Sequence, residues 1–298
     1  MAISYKIKNR IRVFDIFNTI IMTVIMLLTL YPFWYCLVGS LNTGRDYMMG
    51  GVYLWPRSFT LDNYFVVFQE KSIVRAFTVT ALRTFIGTLL AIFVTMLFSY
   101  GFSKKHLFGR RIYAVMGIVT MYFSGGMIPE YLNIKALGLM NNFLVYILPA
   151  TFTFFNVLIF QSYFQSIPGS MIESARIDGA NEYRIFFKLI IPLSLPVIAA
   201  ISLFTAVGHW NSYYDSMLYT TRVELQTIQL YLVKMVRSKE AAASLVSKFI
   251  AEYRQNDSVN STTLQLATMI VTSAPIILTY PFLQRYFIKG VMIGSIKG

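Results

Sequence analysis

Long stretches without a charged side chain constrain this chain of 298 residues more than any other feature of its sequence. The stretch 16–44 contains no Asp, Glu, Lys or Arg, and neither do the stretches 136–172, 189–214 and 258–284. About 20 apolar residues in an α-helix cross the hydrocarbon core of a bilayer. A spanning β-strand is only about 10 residues long and alternates apolar with polar side chains, which these stretches do not. The sequence therefore predicts an all-α integral membrane protein.

The composition agrees with a membrane protein and argues against the other classes. Hydrophobic residues make up 56% of the chain and charged residues 13%, whereas a soluble domain averages about 25% charged residues. Aromatic residues make up 16%, which is too many for a disordered chain. The single cysteine, Cys36, cannot form a disulfide within the chain, so no covalent framework is expected.

We predict six transmembrane helices in one transmembrane domain that covers residues 1–298. The predicted spans are about 14–41, 76–101, 112–132, 143–165, 190–214 and 264–287. Clusters of Lys and Arg precede the first span, follow the second, and lie at the end of the sixth and beyond it: Lys6, Lys8, Arg10, Arg12, Lys104, Lys105, Arg110, Arg111, Arg285, Lys289 and Lys297.

These clusters predict the orientation, because Lys and Arg in short loops mark the cytoplasmic side. Both termini and the loop 167–190 are predicted to be cytoplasmic, and the loop 215–258 external. The net charge of +13 is then mostly a consequence of topology, and no affinity for nucleic acid is expected.

The sequence offers no set of residues for catalysis or metal binding. It lacks a Gly-Lys dipeptide, which a phosphate-binding Walker A loop requires. The two histidines, His106 and His209, and the lone cysteine do not form a usual zinc-binding pattern. We therefore predict no catalytic residue, no metal ligand and no cofactor in this chain.

Three classes of membrane protein stay open on this basis. A transport subunit would obtain its energy from a partner, whereas a secondary carrier or a channel would act alone. Carriers usually keep acidic groups inside the bilayer, and here no Asp or Glu lies at the middle of a predicted span. The third class, a membrane-bound enzyme, is supported only by scattered polar residues.

The loop between the fourth and fifth spans has the signals of a short helix. Ser170 followed by Glu173 forms a capping-box pattern, and Gly179 is typical of a helix end. We predict one helix over about 171–178 and a second from about Glu182. Such a helix either lies on the inner membrane surface or docks a cytoplasmic partner.

The same loop resembles the signature of the permease subunits of bacterial ABC importers. That signature reads EAA, three residues, Gly, nine residues and I-x-L-P. Here Glu173-Ser174-Ala175, Gly179 and the segment 189–192 keep the spacing, with mild departures at Ser174, Leu189 and Ile191. The string ARIDGA at 175–180 is similar to the carbohydrate-importing branch. The C-terminal segment 280–298 is similar to a subgroup that imports oligosaccharides or polysaccharide fragments.

This resemblance implies a type I ABC importer permease fold in the bacterial cytoplasmic (inner) membrane, with a cytoplasmic coupling helix. It implies ATP-driven import of an oligosaccharide by alternating access, with an acidic polyuronate such as alginate fragments as a candidate cargo. The implied partners are a second homologous permease, two ATPase subunits that hold ATP and Mg, and an external sugar-binding protein.

The resemblance also implies which residues couple the chain to an ATPase. They are Glu173, Ser174, Ala175, Asp178, Gly179 and Pro192. The helix that holds them would seat in a groove of the ATPase subunit. Glu173 would pair there with a basic group, and Gly179 would permit a close approach.

Candidates for the sugar pathway are residues that offer an aromatic face, an amide or a charge near the outer ends of spans. They are Asn156, His209, Trp210, Asn211, Tyr213 and Arg83. Aromatic side chains also anchor helices at the membrane interface, and polar ones also join helices by hydrogen bonds. Arg83 would attract an acidic sugar, pair with a group of a partner chain, or extend toward the outer face. These alternatives stay open.

Overall fold

Helices form the regular secondary structure of residues 13–237, 243, 247 and 258–295, which a computed structural model describes. Within these residues the only β-type pairing is an isolated antiparallel bridge between Asn42 and Phe59. The prediction of an all-α protein is confirmed. The chain divides into two units, Met1–Val67 with Ser238–Val271 and Phe68–Arg237 with Thr272–Gly298. The basic segment 1–12 and most of segment 240–250, whose residues favour a helix in the predicted external loop, lie outside the described residues.

The described part of the first unit contains, in chain order, α1 (Val13–Ser40), α2 (Gly44–Met48), the start of α3 (Asp62–Gln69) and the start of the last helix, Ser261–Ser295. The buried side chain of Asn63 connects them. Its amide donates to the carbonyl oxygen of Ser40 at 2.9 Å, and its oxygen accepts from the hydroxyl of Thr263 at 2.8 Å. Asn63 therefore joins the end of α1 to the segment that follows residue 258.

α1 presents apolar side chains outward along most of its length. Phe14 is 70% exposed and Leu28 is 69% exposed. Within the chain, these side chains gain little from burial, so the helix requires an apolar environment such as lipid or another protein.

The second unit is built around one long helix, α4 (Lys71–Ser103), which packs against α7 and α11. The other helices, in chain order, are α5 (Arg110–Tyr122), α6 (Met127–Ala136), α7 (Phe154–Ser166), α8 (Gly169–Ile177), α9 (Glu182–Ile185), α10 (Ile191–Leu193), α11 (Leu195–Asn211), α12 (Tyr214–Tyr219) and α13 (Ile228–Arg237). Short 3-10 turns occupy Phe143–Tyr146 and Val223–Leu225, and a π-helical turn occupies Phe186–Ile190. The last helix, α14 (Ser261–Ser295), begins in the first unit and ends in the second.

Three helices are long and apolar enough to cross a membrane, over residues Phe14–Ser40, Lys71–Ser103 and Ser261–Thr279, among the residues described. They coincide with the first, second and sixth predicted spans. The third and fifth predicted spans correspond to bent pairs, with angles of 115° between α5 and α6 and 78° at the entrance to α11. Counting each pair as one span gives five.

The predicted fourth span, 143–165, corresponds to a 3-10 turn and to α7, which has 13 residues. A helix of that length measures about 20 Å, less than the hydrocarbon core of about 30 Å. Helix length therefore does not by itself make α7 a span, and its crossing of the membrane stays a prediction.

A buried apolar cluster forms one end of the second unit. Its members come from α4, α7, α9, the π-helical turn and α11: Ile92, Met96, Tyr100, Phe160, Phe164, Ile185, Phe186, Ile190, Val197 and Ile201. Ile172 and Ala175 of α8 pack against this cluster. The predicted coupling helix is thereby seated on the core of the second unit.

Candidate functional site

A cavity of about 720 Å³ lies in the second unit beside α4, α7 and α11. This volume falls within the range of about 300–1,000 Å³ that is typical of sites for small molecules. Its polar lining includes Arg83, Thr95, Tyr146, Asn156, Thr205, His209, Ser212 and Asp215, and apolar side chains such as Phe155 and Ile201 complete the wall. Aromatic and apolar surface combined with a few polar groups suits a sugar.

Arg83 is the fully buried charge at this cavity. Its Nε donates to the carbonyl oxygen of His209 at 2.8 Å, and its Nη1 lies 3.2 Å from Oδ1 of Asp215. Its guanidinium carbon lies 5.0 Å from the centre of the Tyr146 ring. The remaining nitrogen, Nη2, is buried without a hydrogen-bond partner in the described part of the chain. A buried donor of this kind is costly unless it finds an acceptor.

The structure gives Arg83 an ion-pair partner within its own chain. This partner is Asp215, and the Arg83 side chain does not extend toward solvent because its exposed fraction is 0%. Asp215 Oδ1 also accepts from the hydroxyl of Ser212 at 3.0 Å and from the backbone N–H of Ser216 at 2.8 Å. These bonds fix the position of the carboxylate beside Arg83.

The other predicted pathway residues separate into two groups. Asn156 and His209 line the cavity together with Arg83. Asn211 and Tyr213 are not among the lining residues, and Asn211 lies exposed at the end of α11.

Trp210 is buried on another side of α11. Its Nε1 donates to the carbonyl oxygen of Thr272 at 3.0 Å, and its ring meets Phe77 edge-on at 5.4 Å. Successive side chains of an α-helix point about 100° apart because a turn holds about 3.6 residues. Trp210 is not among the residues that line the cavity, and its hydrogen bond gives it a packing role.

Tyr146 and Asp215 were absent from the predicted pathway set. The Tyr146 side chain is 1% exposed, and its hydroxyl donates to the carbonyl oxygen of Leu225 at 2.6 Å. The sequence did contain a signal for Asp215, because a charge inside a span needs a counter-charge. Asp215 lies near the end of the fifth predicted span on the side that Arg83 approaches.

The second candidate site is the predicted coupling loop, where α8 forms over Gly169–Ile177. The predicted capping box is wrong, because Pro168 occupies the N-cap position and no side chain caps the helix. Pro168 has a φ of −55°, close to the helical value, and its missing N–H costs little at a helix start. The helix therefore begins two residues earlier than predicted, and Ser170 lies inside its first turn.

The two faces of α8 have different environments. Ile172 and Ala175 are partly buried against the apolar cluster, whereas Glu173 and Ser174 are exposed. Ile177, at the end of the helix, is 85% exposed. An exposed helix face that ends in an exposed apolar side chain is typical of a docking surface.

Gly179 ends α8, as predicted, in a left-handed conformation with φ of +77°. Its N–H donates to the carbonyl oxygen of Arg176 at 3.0 Å, and the N–H of Ala180 donates to that of Ala175 at 2.9 Å. This pair of bonds is the Schellman motif. No atom of the described chain lies within 4 Å of a Cβ built on Gly179, so its backbone conformation is what requires glycine here.

Replacement of Gly179 by valine is expected to weaken the end of α8, because the left-handed conformation costs a residue with a Cβ about 1–2 kcal/mol. Asparagine tolerates that conformation better and serves as the control. Hydrogen exchange of the amides of residues 169–180 in the purified protein measures the effect. We expect faster exchange in Gly179→Val than in Gly179→Asn, and equal exchange would contradict the backbone explanation.

Pro192 lies exposed in α10, two residues before the bend at Ser194. Ser194 itself is buried between α10 and α11. The predicted coupling residues therefore occupy two places, Glu173 to Gly179 in and after α8, and Pro192 next to the bend.

Glu182 is a residue of this region that the predicted set omitted. Its carboxylate receives hydrogen bonds from Lys104 at 2.8 Å, from Arg176 at 2.7 Å and from the hydroxyl of Tyr100. Partial burial opposes its ionisation, but the bonds from Lys104, Tyr100 and Arg176 outweigh burial and lower the pKa of Glu182 to about 2. The carboxylate therefore stays ionised at neutral pH.

The described residues contain no group of three His, Cys, Asp or Glu side chains that is placed to hold a metal ion. The polar groups at the cavity are donors and acceptors suited to hydroxyls and carboxylates, and neither site has a nucleophile paired with a base. The arrangement supports binding and movement of a solute.

Comparison with known proteins assigns the chain to a family. No family model matches it. The chain is 37% identical over 98% of its length to the "Polygalacturonan/rhamnogalacturonan transport system permease protein YtcP" of Bacillus subtilis (strain 168), all of which is covered. It is 36% identical over 96% of its length to "Protein LplC" of the same organism, of which 96% is covered.

A solved structure has the same fold. It is described as a bacterial ABC transporter involved in the import of the acidic polysaccharide alginate. A chain of that transporter is 31% identical with a TM-score of 0.84, over 93% of this chain and 97% of that one. The sequence resemblance is thereby confirmed: the protein belongs to the permeases of the ABC transport systems for sugars.

Proposed function

We propose that the chain is a membrane-spanning subunit of an ATP-driven importer that moves an acidic oligosaccharide into the bacterial cytoplasm by alternating access. The observation that carries the acidic cargo is the Nη2 donor of Arg83, buried beside the 720 Å³ cavity with no partner in the described residues. A carboxylate is the acceptor that suits a guanidinium best. Polygalacturonan and alginate, named for two similar proteins, are both polymers of uronic acids.

The proposed assembly supplies what this chain lacks. A second homologous permease would complete the pathway, two ATPase subunits would hold ATP and Mg, and an external sugar-binding protein would deliver the cargo. The complex would lie in the cytoplasmic membrane with both termini of this chain inside. Hydrolysis would belong to the ATPase subunits, and this chain would contribute no catalytic residue.

In this assembly α8 would be the coupling helix. Its exposed residues Glu173, Ser174 and Asp178 would contact the ATPase, and Ile177 would fill an apolar part of the groove. Interface cores favour apolar groups surrounded by polar ones, which is the arrangement at the end of α8. The opposite face, with Ile172 and Ala175, would pass the movement to the core of the second unit.

The direct test is purification of the tagged permease from its native host, followed by reconstitution in proteoliposomes with the external binding protein. We expect an ATPase and a second permease to co-purify, and galacturonate or alginate oligosaccharides to stimulate ATP hydrolysis. Uptake without any ATPase in the preparation, driven by an ion gradient or by the sugar gradient alone, would instead support a carrier or a channel.

Replacement of Ile177 by aspartate is expected to reduce ATPase association with the permease by at least about tenfold, because interface hot spots are worth about 2 kcal/mol or more. The ratio of ATPase to permease after affinity purification measures the effect. Val223→Asp is the matched control, because Val223 is 60% exposed in the loop that we place outside. Equal loss of ATPase from both variants would contradict a specific role for Ile177.

A further inference from the structure

The carboxylate of Glu182 joins two parts of the second unit that are far apart in sequence. Arg176 belongs to the last turn of α8, and its Nη2 lies 2.7 Å from Oε1 of Glu182. Lys104 follows the last residue of α4, and its Nζ lies 2.8 Å from Oε2 of Glu182. One side chain therefore bridges the coupling helix and the end of α4.

Tyr100 strengthens this junction from inside the apolar cluster. Its hydroxyl donates to Glu182, and the Nζ of Lys104 lies 4.1 Å from the centre of its ring. Its ring also packs against Phe186 with ring centres 5.1 Å apart. The ionic bridge thus continues into aromatic side chains packed between α4 and the π-helical turn.

α4 connects this junction to the cavity without interruption. It runs from Lys71 to Ser103 as one helix and contains no proline. Arg83 and Tyr100 are 17 residues apart in it, a separation of about 25 Å along a helix axis. One continuous helix therefore joins the Glu182 junction to the cavity.

We propose that Glu182 is a positioning residue that connects α8 to α4, so that a movement imposed on α8 repositions Arg83 at the cavity. The inference rests on the proposed function and deepens it, because it names the route from the ATPase contact to the sugar. Glu182 touches neither the sugar nor the reacting phosphate, and it acts through Lys104, Arg176 and Tyr100.

The exposure of the ion pairs agrees with a role in coupling. The side chains of Glu182 and Arg176 are each 50% exposed, and that of Lys104 is 29% exposed. Ion pairs this exposed contribute little to folding stability. Removal of the carboxylate is therefore expected to affect the transmission of movement more than assembly of the complex.

The test compares Glu182→Gln, Lys104→Met and the double variant in the reconstituted complex with the external binding protein. The measured quantity is the number of galacturonate or alginate oligosaccharides imported per ATP hydrolysed. We expect each single variant to lower this ratio at least about fivefold, the lower end of typical coupling between sites. The double variant should lower it no further than the worse single variant, because both changes remove the same link.

Two further variants separate coupling from general damage. Glu224→Gln removes an exposed carboxylate of the 3-10 turn Val223–Leu225, away from this junction, and should leave the ratio unchanged. Glu182→Asp keeps the charge and should restore part of the ratio. If Glu182→Gln fails to assemble, Lys104→Met and Glu182→Asp still give the measurement.

The possible failures are distinguishable. A wild-type complex without sugar-stimulated ATP hydrolysis would refute the proposed function. A stimulated wild-type complex with an unchanged ratio in Glu182→Gln and Lys104→Met would overturn only the role of Glu182. Effects of the two changes that add in the double variant would also overturn it, because they would then act through separate routes.

Discussion

Uptake of an acidic oligosaccharide is expected to fall about 10- to 100-fold when Arg83 is replaced by glutamine. A hydrogen bond between charged partners is worth about 1.5–3 kcal/mol, and every 1.4 kcal/mol corresponds to about a factor of ten in affinity. Arg83 lines the cavity, and its Nη2 has no partner among the described residues, so a movement of the cavity wall that exposes Nη2 would let it donate such a bond to a carboxylate. Uptake at low concentrations of labelled trigalacturonate in proteoliposomes measures the effect.

A second variant distinguishes a loss of cargo binding from a loss of folding stability. Arg83→Gln alone leaves Asp215, whose side chain is 23% exposed, without its counter-charge, and this loss destabilises the fold. The double variant Arg83→Gln with Asp215→Asn removes both charges together and avoids that cost. It should still lose acidic uptake while any transport of a neutral oligosaccharide of the same length changes little. Equal loss for both sugars in the assembled double variant would assign Arg83 a structural role.

The second large effect is expected at Gly87, where α4 meets α11. A Cβ at this position would lie 2.7 Å from Cε1 and Nε2 of His209, whose side chain is 6% exposed. Gly87→Ala therefore forces the imidazole to shift within the cavity wall, and overpacking of this kind costs about 1–3 kcal/mol. We expect the thermal stability of the purified complex to fall by about 1–3 kcal/mol. Uptake should fall as well, because the displaced imidazole of His209 lines the cavity.

Gly101→Ala is the matched control for Gly87→Ala. Gly101 lies in the same helix, and no atom of the described chain lies within 4 Å of a Cβ built there. Alanine is favoured over glycine inside a helix by about 1 kcal/mol, so this variant should be as stable as the wild type or slightly more so. If the two variants behave alike, the contact between Gly87 and His209 does not limit the packing of α4.

The helical class and the longest helices were predictable from the sequence, because charge-free stretches report directly on the lipid environment. α1, α4 and α14 coincide with predicted spans for this reason. The 115° bend between α5 and α6 was not predictable, although Gly125-Gly126 marked an interruption. The residue types show where a helix can break, but the direction of the helix that follows the break depends on packing against other helices.

The candidate sites were predictable in part. Arg83, His209 and Asn156 were identified because polar groups in a span seldom face lipid, and all three line the cavity. The partner of Arg83 was harder to predict, because Asp215 is 132 residues away in sequence. Trp210 was selected for its chemistry, but its direction depends on the rotation of α11, which sequence composition does not define.

The predicted coupling loop was also predictable only in part. Its helices and the role of Gly179 as a helix end followed from local signals, because backbone conformation near a glycine is a local property. The bonds from Lys104 and Tyr100 to Glu182 depend on how α9 lies against the end of α4. The spacing of residues along the sequence does not predict contacts of this kind between separate helices.

The pairing of Arg83 with Asp215 has a consequence for turnover. A transporter must release its cargo in every cycle, and a site that binds the cargo too tightly slows this release. With a carboxylate already 3.2 Å from Nη1, the guanidinium offers an incoming uronate one directed donor and only part of its charge. The dwell time of the sugar would then be short and set by geometry, so a small movement of α4 would suffice to let it leave.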